Sequence, residues 1–336
     1  MEVRPAVEIL ATLDAQGCLD SLPFMPEMTR HIGQRFLISH RVEKICNTLG
    51  EGTARLRMHD TVYLEDLRCD GSAHGGCQAG CRIYWKEAWL RRVDPDAAPP
   101  PSPTEASADL EEVVVPGTRT LRVLENETVE VWRCQATEAV KATGPLKIYD
   151  FGQYWRDLKG SNYGLGRFLL VAARGLVMEV ASRLRLMEKF PLSGEGTYEP
   201  CREQLGLQPG QLVQVRETAE IARTLDANGL LRGLSFDREM VPYCGRTLRV
   251  KDRVERIIDE RTGRMLHISR DCLILEGAVC SGELSPGRWF CPRGIYSFWR
   301  EAWLHPVEET KPADTNGDLS AKHESPGEMH RNWKVP

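Results

Sequence analysis

Residues 69–81 read Cys-Asp-Gly-Ser-Ala-His-Gly-Gly-Cys-Gln-Ala-Gly-Cys, a C-x4-H-x2-C-x3-C run. Three thiols and one imidazole so close together are the ligand inventory of a four-coordinate metal site. The intervening glycines allow the sharp backbone turns that would let Cys69, His74, Cys77 and Cys81 converge. Zinc in such a Cys3His set is tetrahedral with no open position, which is a structural role. The order differs from that of a zinc knuckle, in which two close cysteines come first. An iron–sulfur cluster on three cysteines and a histidine is also chemically sound, with zinc ahead of it on closed-site chemistry. Cys46, on a preceding strand, could replace His74 and make the set all-thiolate.

A second, sparser constellation lies near the C-terminus. Cys280 matches Cys69 and Cys291 matches Cys77, but Ile295 stands where Cys81 would be and nothing corresponds to His74. Cys244 and Cys272 fall on strands expected to flank this loop, so Cys244, Cys272, Cys280 and Cys291 form a candidate second set. The bland alternative for both sets is that they are small buried apolar residues, as free cysteines often are. Cys134 reads as an isolated buried thiol without a neighbouring histidine in sequence, and Cys18 and Cys201 carry no pattern.

The elements that must position these loops come twice. Glu8–Gly17 matches Glu220–Gly229 at an offset of 212 residues, and Leu22, Phe24, Glu27, Met28 and Gly33 then meet Leu234, Phe236, Glu239, Met240 and Gly245 without a gap. Arg41-Val42-Glu43 recurs as Arg253-Val254-Glu255, and Tyr84–Leu90 as Phe298–Leu304. Two copies of some 90 residues mean two packed modules rather than a solenoid. Each reads as a short helix ended by Asp14–Gly17 or Asp226–Gly229, then several short β-runs, with Asp259–Gly263 as a hairpin turn. The expected class is therefore mainly β with added helices (α+β): two SH3-like barrel modules joined by a partly helical middle segment. The i, i+4 pairs Trp85/Trp89 and Trp299/Trp303 are expected on one face of a helical turn, plugging the barrel end.

The expected boundaries are module 1 at 1–93, a disordered Pro/Ala/acidic linker at 94–112, the middle segment at 113–200, module 2 at 201–308 and a disordered tail at 309–336. The middle segment starts with strand-like Val113-Val114-Val115, Thr120–Leu124 and Thr128–Trp132. It ends in a long amphipathic helix near 163–189, whose stripe of Leu165, Phe168, Leu169, Ala172, Leu176, Val180 and Leu184 is expected to pack as core.

The composition, 41% hydrophobic and 27% charged, is that of a globular protein. A net charge of −4 and a pI near 6.1 offer no basic excess for phosphate backbones, so nucleic acid is an unlikely partner. The N-terminus lacks the basic start and apolar run of a signal peptide, and no apolar stretch is long enough for a membrane span. A cytoplasmic setting follows, in which eleven cysteines are thiols or metal ligands rather than disulfides. No Ser/His/Asp set, phosphate loop or dinucleotide fingerprint is present.

Cys-Asp-Gly-Ser resembles part of the signature of the CDGSH iron–sulfur proteins, although Ala73 separates Ser72 from His74 and the upstream C-x-C is missing. The whole cysteine run followed by Trp-Lys-Glu-Ala-Trp-Leu resembles a group of uncharacterised bacterial proteins with this duplicated layout over most of residues 1–308. That resemblance implies a bacterial intracellular setting beside biosynthetic enzymes and carries over no activity or residue role. The expectation is a soluble two-module protein that binds zinc or an iron–sulfur cluster, an accessory or scaffold to a protein partner or small-molecule pathway. An iron–sulfur redox enzyme or electron carrier is the alternative, and a nucleic-acid adaptor comes last.

Overall fold

The computed structural model describes residues 1–47, 49, 55–94, 108–147, 150–160, 162–184, 192, 194, 205–268, 271–284 and 289–308. Most of the expected linker, the expected tail and Cys201 lie outside these. The fold is α+β, with strand outweighing helix and the strands spread over many small sheets. Among the described residues no helix is long and apolar enough to cross a membrane.

The second copy shows the sheet most fully. Its strand order is Tyr296–Arg300, Cys272–Val279, Thr247–Arg253, Leu212–Val215 and Leu304–Pro306, with a 3-10 turn Glu301–Trp303 before the last strand. The first copy repeats it in pieces: Ile38–Arg41 pairs with Thr61–Arg68, which pairs with Arg82–Lys86, while Glu2–Val3 pairs with Leu90–Arg91. Register shifts fall at equivalent places, between Ile38 and His40 and between Val250 and Asp252. Hydrogen bonds repeat as well. Asp14 Oδ1 accepts from the N–H groups of Gln16 and Cys18, as Asp226 Oδ1 does from Asn228 and Leu230.

The tryptophans are not on one helical turn. Trp85 and Trp299 sit on strands, whereas Trp89 and Trp303 end the 3-10 turns Glu87–Trp89 and Glu301–Trp303. All four are fully buried. A continuous strand would put the two rings on one face but about 13 Å apart, and the change to a tight turn lets both reach one partner, Phe24 or Phe236. The indole N–H of Trp89 donates to Thr12 Oγ1 at 3.1 Å, and that of Trp303 to Thr224 Oγ1 at 2.9 Å. Phe24 and Phe236 stand edge-on to Trp89 and Trp303 at 5.1 and 5.7 Å. Trp303→Ala is expected to cost about 3–5 kcal/mol of stability, read from urea unfolding.

The middle segment departs from expectation in two ways. Val113 and Val114 are helical, in Ala108–Val114, because Leu110 and Val114 bury against the first core and Asp109 and Glu111 favour the helix start. The strands Arg119–Leu124 and Glu127–Trp132 form a hairpin. The long helix runs over Leu165–Arg183, but it docks by Val171, Gly175 and Met178 rather than by the leucine stripe. Gly175 lies so close to the Trp289 ring that a Cβ would sit 2.8 Å from it. This close approach turns Leu169, Leu176, Val180 and Leu184 outward, where they are exposed.

Glu2 illustrates how the first copy is pinned at its edge. Its buried carboxylate accepts from Arg35 at 3.1 Å and also from Arg91. Burial pushes this carboxyl up, but the two guanidinium groups outweigh that and hold it below its ordinary value of 4.5. Its contribution to stability is therefore complete above the unfolded value and lost as pH falls through the lower folded one. Glu2→Gln is expected to remove part of the wild-type loss of stability between pH 6 and pH 3, measured by urea unfolding at both.

Candidate metal centre

The loop 69–81 closes at its base, where the Cys69 N–H donates to the Cys81 carbonyl at 2.8 Å. Its counterpart closes alike, from Cys280 to Ile295 at 2.7 Å. Inside the loop, Gly71 has φ +70, and a Cβ there would lie 2.1 Å from the Cys77 carbonyl. Gly71→Ala is thus expected to cost more than about 1 kcal/mol in urea unfolding, since both backbone conformation and space are denied. Gly144→Ala, with nothing within 4 Å of its Cβ, is the neutral control.

One buried carboxylate organises the loop. Glu27 Oε1 accepts from the Ala73 N–H at 3.1 Å and meets His74 Nδ1 at 2.6 Å, with the Cys69 thiol at 3.8 Å. Burial pushes the Glu27 carboxyl up, but His74 and the Ala73 N–H together hold it below its ordinary value. Glu27 is therefore the acceptor and Nδ1 the donor. His74 Nε2 faces the Arg133 carbonyl at 3.1 Å, also an acceptor. In the second copy the equivalent Glu239 does the same work without a histidine. It accepts from the N–H and hydroxyl of Ser281 and from the N–H of Leu284.

Cys69, His74, Cys77 and Cys81 line one cavity of about 50 Å³ between the two copies. Met25, Tyr63 and Tyr84 floor it from the first copy, and Ile258, Glu260, Arg293 and Ile295 close it from the second. Cys134, from the middle segment, faces the same space. Burial drives the Cys69 and Cys81 thiols far up and the Cys134 thiol to about 12, and the neighbouring thiols add to each shift. Backbone N–H groups point at these sulfurs: Gly71 at Cys69, Ile258 at Cys77 (3.3 Å), and Ala136 and Thr137 at Cys134. Such donors favour the thiolate, the form that binds metal. Among the described residues, only Glu27, Cys69 and His74 bring three ligand atoms within 4.8 Å of one another, a group that could hold a metal ion.

The remaining candidates lie apart. Cys46 Sγ is not at this cavity; it meets Cys291, whose sulfur accepts the Cys46 N–H at 3.3 Å. Cys244 accepts from the Thr218 hydroxyl at 3.4 Å, and Cys272 is buried on its strand near Arg300 and Asp271. Among the described residues no three of Cys244, Cys272, Cys280 and Cys291 bring their sulfurs within 4.8 Å of one another. Around Cys291 the space is filled by Phe290, which stacks on Phe168 at 4.8 Å and meets Tyr163 and Tyr154 edge-on.

Cys134 carried no spacing signal, being 53 residues beyond Cys81. Glu27 did carry one: it stands in register with Glu239 in the repeat, and a carboxylate kept at a core position of both copies marks a shared buried contact. Comparison of the chain with family models, curated proteins and solved structures gives no match, so the centre is read from its own geometry.

Proposed function

We infer that the chain is a metal-binding scaffold in which one ion, held in the cavity between the two copies, fastens them together. The observation that carries this reading is the cavity itself: Cys69, Cys77 and Cys81 face it, and a backbone N–H of the opposite copy donates to Cys77. A buried thiol cluster of this kind has a strong reason to be metal-bound, because the ion removes the protons that burial otherwise locks in place. About 50 Å³ is room for a few waters, which suits a single ion better than a cluster. Zinc fits thiolate donors and a closed site with no position left for substrate. That closure supports an accessory rather than a catalytic role, beside the biosynthetic partner that the resemblance implies. The strand order of the second copy, with a 3-10 turn before its last strand, supports reading each copy as an SH3-like barrel.

Metal analysis of anaerobically purified protein tests this reading. About one zinc per chain and a colourless solution are expected, with the zinc lost in Cys77→Ser. Iron with acid-labile sulfide, and a brown protein, would move the assignment to an iron–sulfur cluster. Neither metal, before or after reconstitution, would end the metal-binding reading.

A further inference from the structure

We propose that Glu27, outside the cysteine run, is a ligand of this centre, and that it anchors the ion together with the Cys69 sulfur and His74 Nδ1. The centre is then a mixed oxygen, nitrogen and sulfur site rather than an all-thiolate one. The proposal rests on the metal-binding reading above.

Four observations converge on it. First, the ligand atoms of these three side chains lie within 4.8 Å of one another. The loop is folded to bring them there: the Gly71 carbonyl accepts from the N–H groups of His74 and Gly76 at 2.9 and 3.0 Å. Second, Glu27 has a carboxylate oxygen to give. Oε1 takes the Ala73 N–H and the His74 contact, whereas Oε2 is buried and takes no hydrogen bond. Buried charges are paired or bound to metals. The second copy shows the paired form. Glu239, in register with Glu27, accepts at both oxygens: at Oε2 from the Ser281 N–H and hydroxyl, and at Oε1 from the Leu284 N–H. That copy has no histidine in its loop and satisfies its carboxylate with hydrogen bonds instead.

Third, His74 has the outer contact of a metal ligand. Nε2 lies 3.1 Å from the Arg133 carbonyl, which can only accept, so Nε2 carries the hydrogen of that bond. A ligating histidine almost always donates its other ring N–H to a carbonyl, a carboxylate or water. Nδ1 is then the nitrogen turned to the site, 2.6 Å from Glu27 Oε1. Two lone pairs that close need a cation between them: a proton in the metal-free protein, the ion in the loaded one. Fourth, the Cys69 sulfur stands 3.8 Å from Glu27 Oε1, with the Gly71 N–H aimed at it. Zinc accepts thiolate, imidazole and carboxylate in one tetrahedral set. Cys69 and His74 line the cavity that Cys77 shares, so the remaining position opens toward Cys77 and the second copy.

X-ray absorption of the zinc-loaded, full-length wild-type protein reads the ligand types directly. Sulfur at about 2.3 Å, at least two nitrogen or oxygen scatterers at about 2.0–2.2 Å and an imidazole signature are expected. An all-sulfur shell, or one imidazole nitrogen beside three sulfurs, would overturn the assignment and leave the metal reading standing. His74→Gln should abolish the imidazole signature; its persistence would sink His74 as a ligand. Zinc affinity by chelator competition gives the second reading. Glu27→Gln is expected to weaken binding by more than about 100-fold, beyond the 10–100-fold effect of outer contacts, while Glu239→Gln keeps the wild-type affinity. Wild-type affinity in Glu27→Gln would sink Glu27 as a ligand. Absence of zinc from the wild type, even after reconstitution, would sink both this proposal and the metal reading. Should a variant fail to fold by circular dichroism, the wild-type spectrum alone decides.

Discussion

Stripping zinc from the purified chain with a strong chelator is expected to destabilise it by on the order of 5 kcal/mol, with excess zinc restoring the loss. Structural zinc in small peptides contributes about 10–16 kcal/mol because binding and folding are one event. Here each copy has its own core, built on Trp85 and Trp89 or Trp299 and Trp303, so part of the fold survives without the ion. On the proposed metal-binding reading, the ion adds the join. Urea unfolding with and without chelator measures it, and the metal-free protein should unfold in two steps where the loaded one unfolds in one. Identical midpoints would mean that no metal contributes.

Glu27→Ala is expected to cost on the order of 3 kcal/mol, since each buried donor left without an acceptor costs about 1–3 kcal/mol. The His74 ring and the Ala73 N–H would both lose their acceptor in a buried site; Glu27 and His74 are 4% and 1% exposed. Glu239→Ala should cost a comparable amount, because it leaves the Ser281 and Leu284 donors without their acceptor. Thermal or urea unfolding of both variants measures the two effects. A loss below about 1 kcal/mol in Glu27→Ala would show that this carboxylate does not organise the loop.

Local pattern carried much of this architecture in the sequence. The offset of 212 residues located the equivalent strands, and Asp259–Gly263 marked a hairpin turn that the structure forms between Arg256–Ile258 and Met265–His267. The cysteine run marked the loop that reaches the cavity. What pattern could not carry was long-range pairing. Cys134 comes to Cys81 through Gln135 and the Tyr84 backbone, a contact no spacing rule encodes. His74 stood out as a ligand by residue type, but Glu27, which groups with it and Cys69, lies 47 residues away. Cys46 looked available to the same site until the strand Lys44–Cys46 turned it toward the other copy. Val113 and Val114 misled because β-branched residues only favour strands where a sheet receives them; here a helix-packing site does.

The two sulfur contacts between the copies are each other's image. Cys77 takes the Ile258 N–H at 3.3 Å and Cys291 takes the Cys46 N–H at 3.3 Å, and Cys46 and Ile258 are equivalent positions, as are Cys77 and Cys291. Residue i meeting j while j meets i is the signature of an isologous dimer, here written into one polypeptide. Two identical subunits must alter both faces of such a dyad whenever one gene changes. A tandem copy is released from that constraint, and this chain has used the release: one loop holds three thiols and a histidine, while its twin keeps Cys280 and Cys291, has Ile295 in place of Cys81 and no histidine, and sets Phe290 in a bed of aromatic rings.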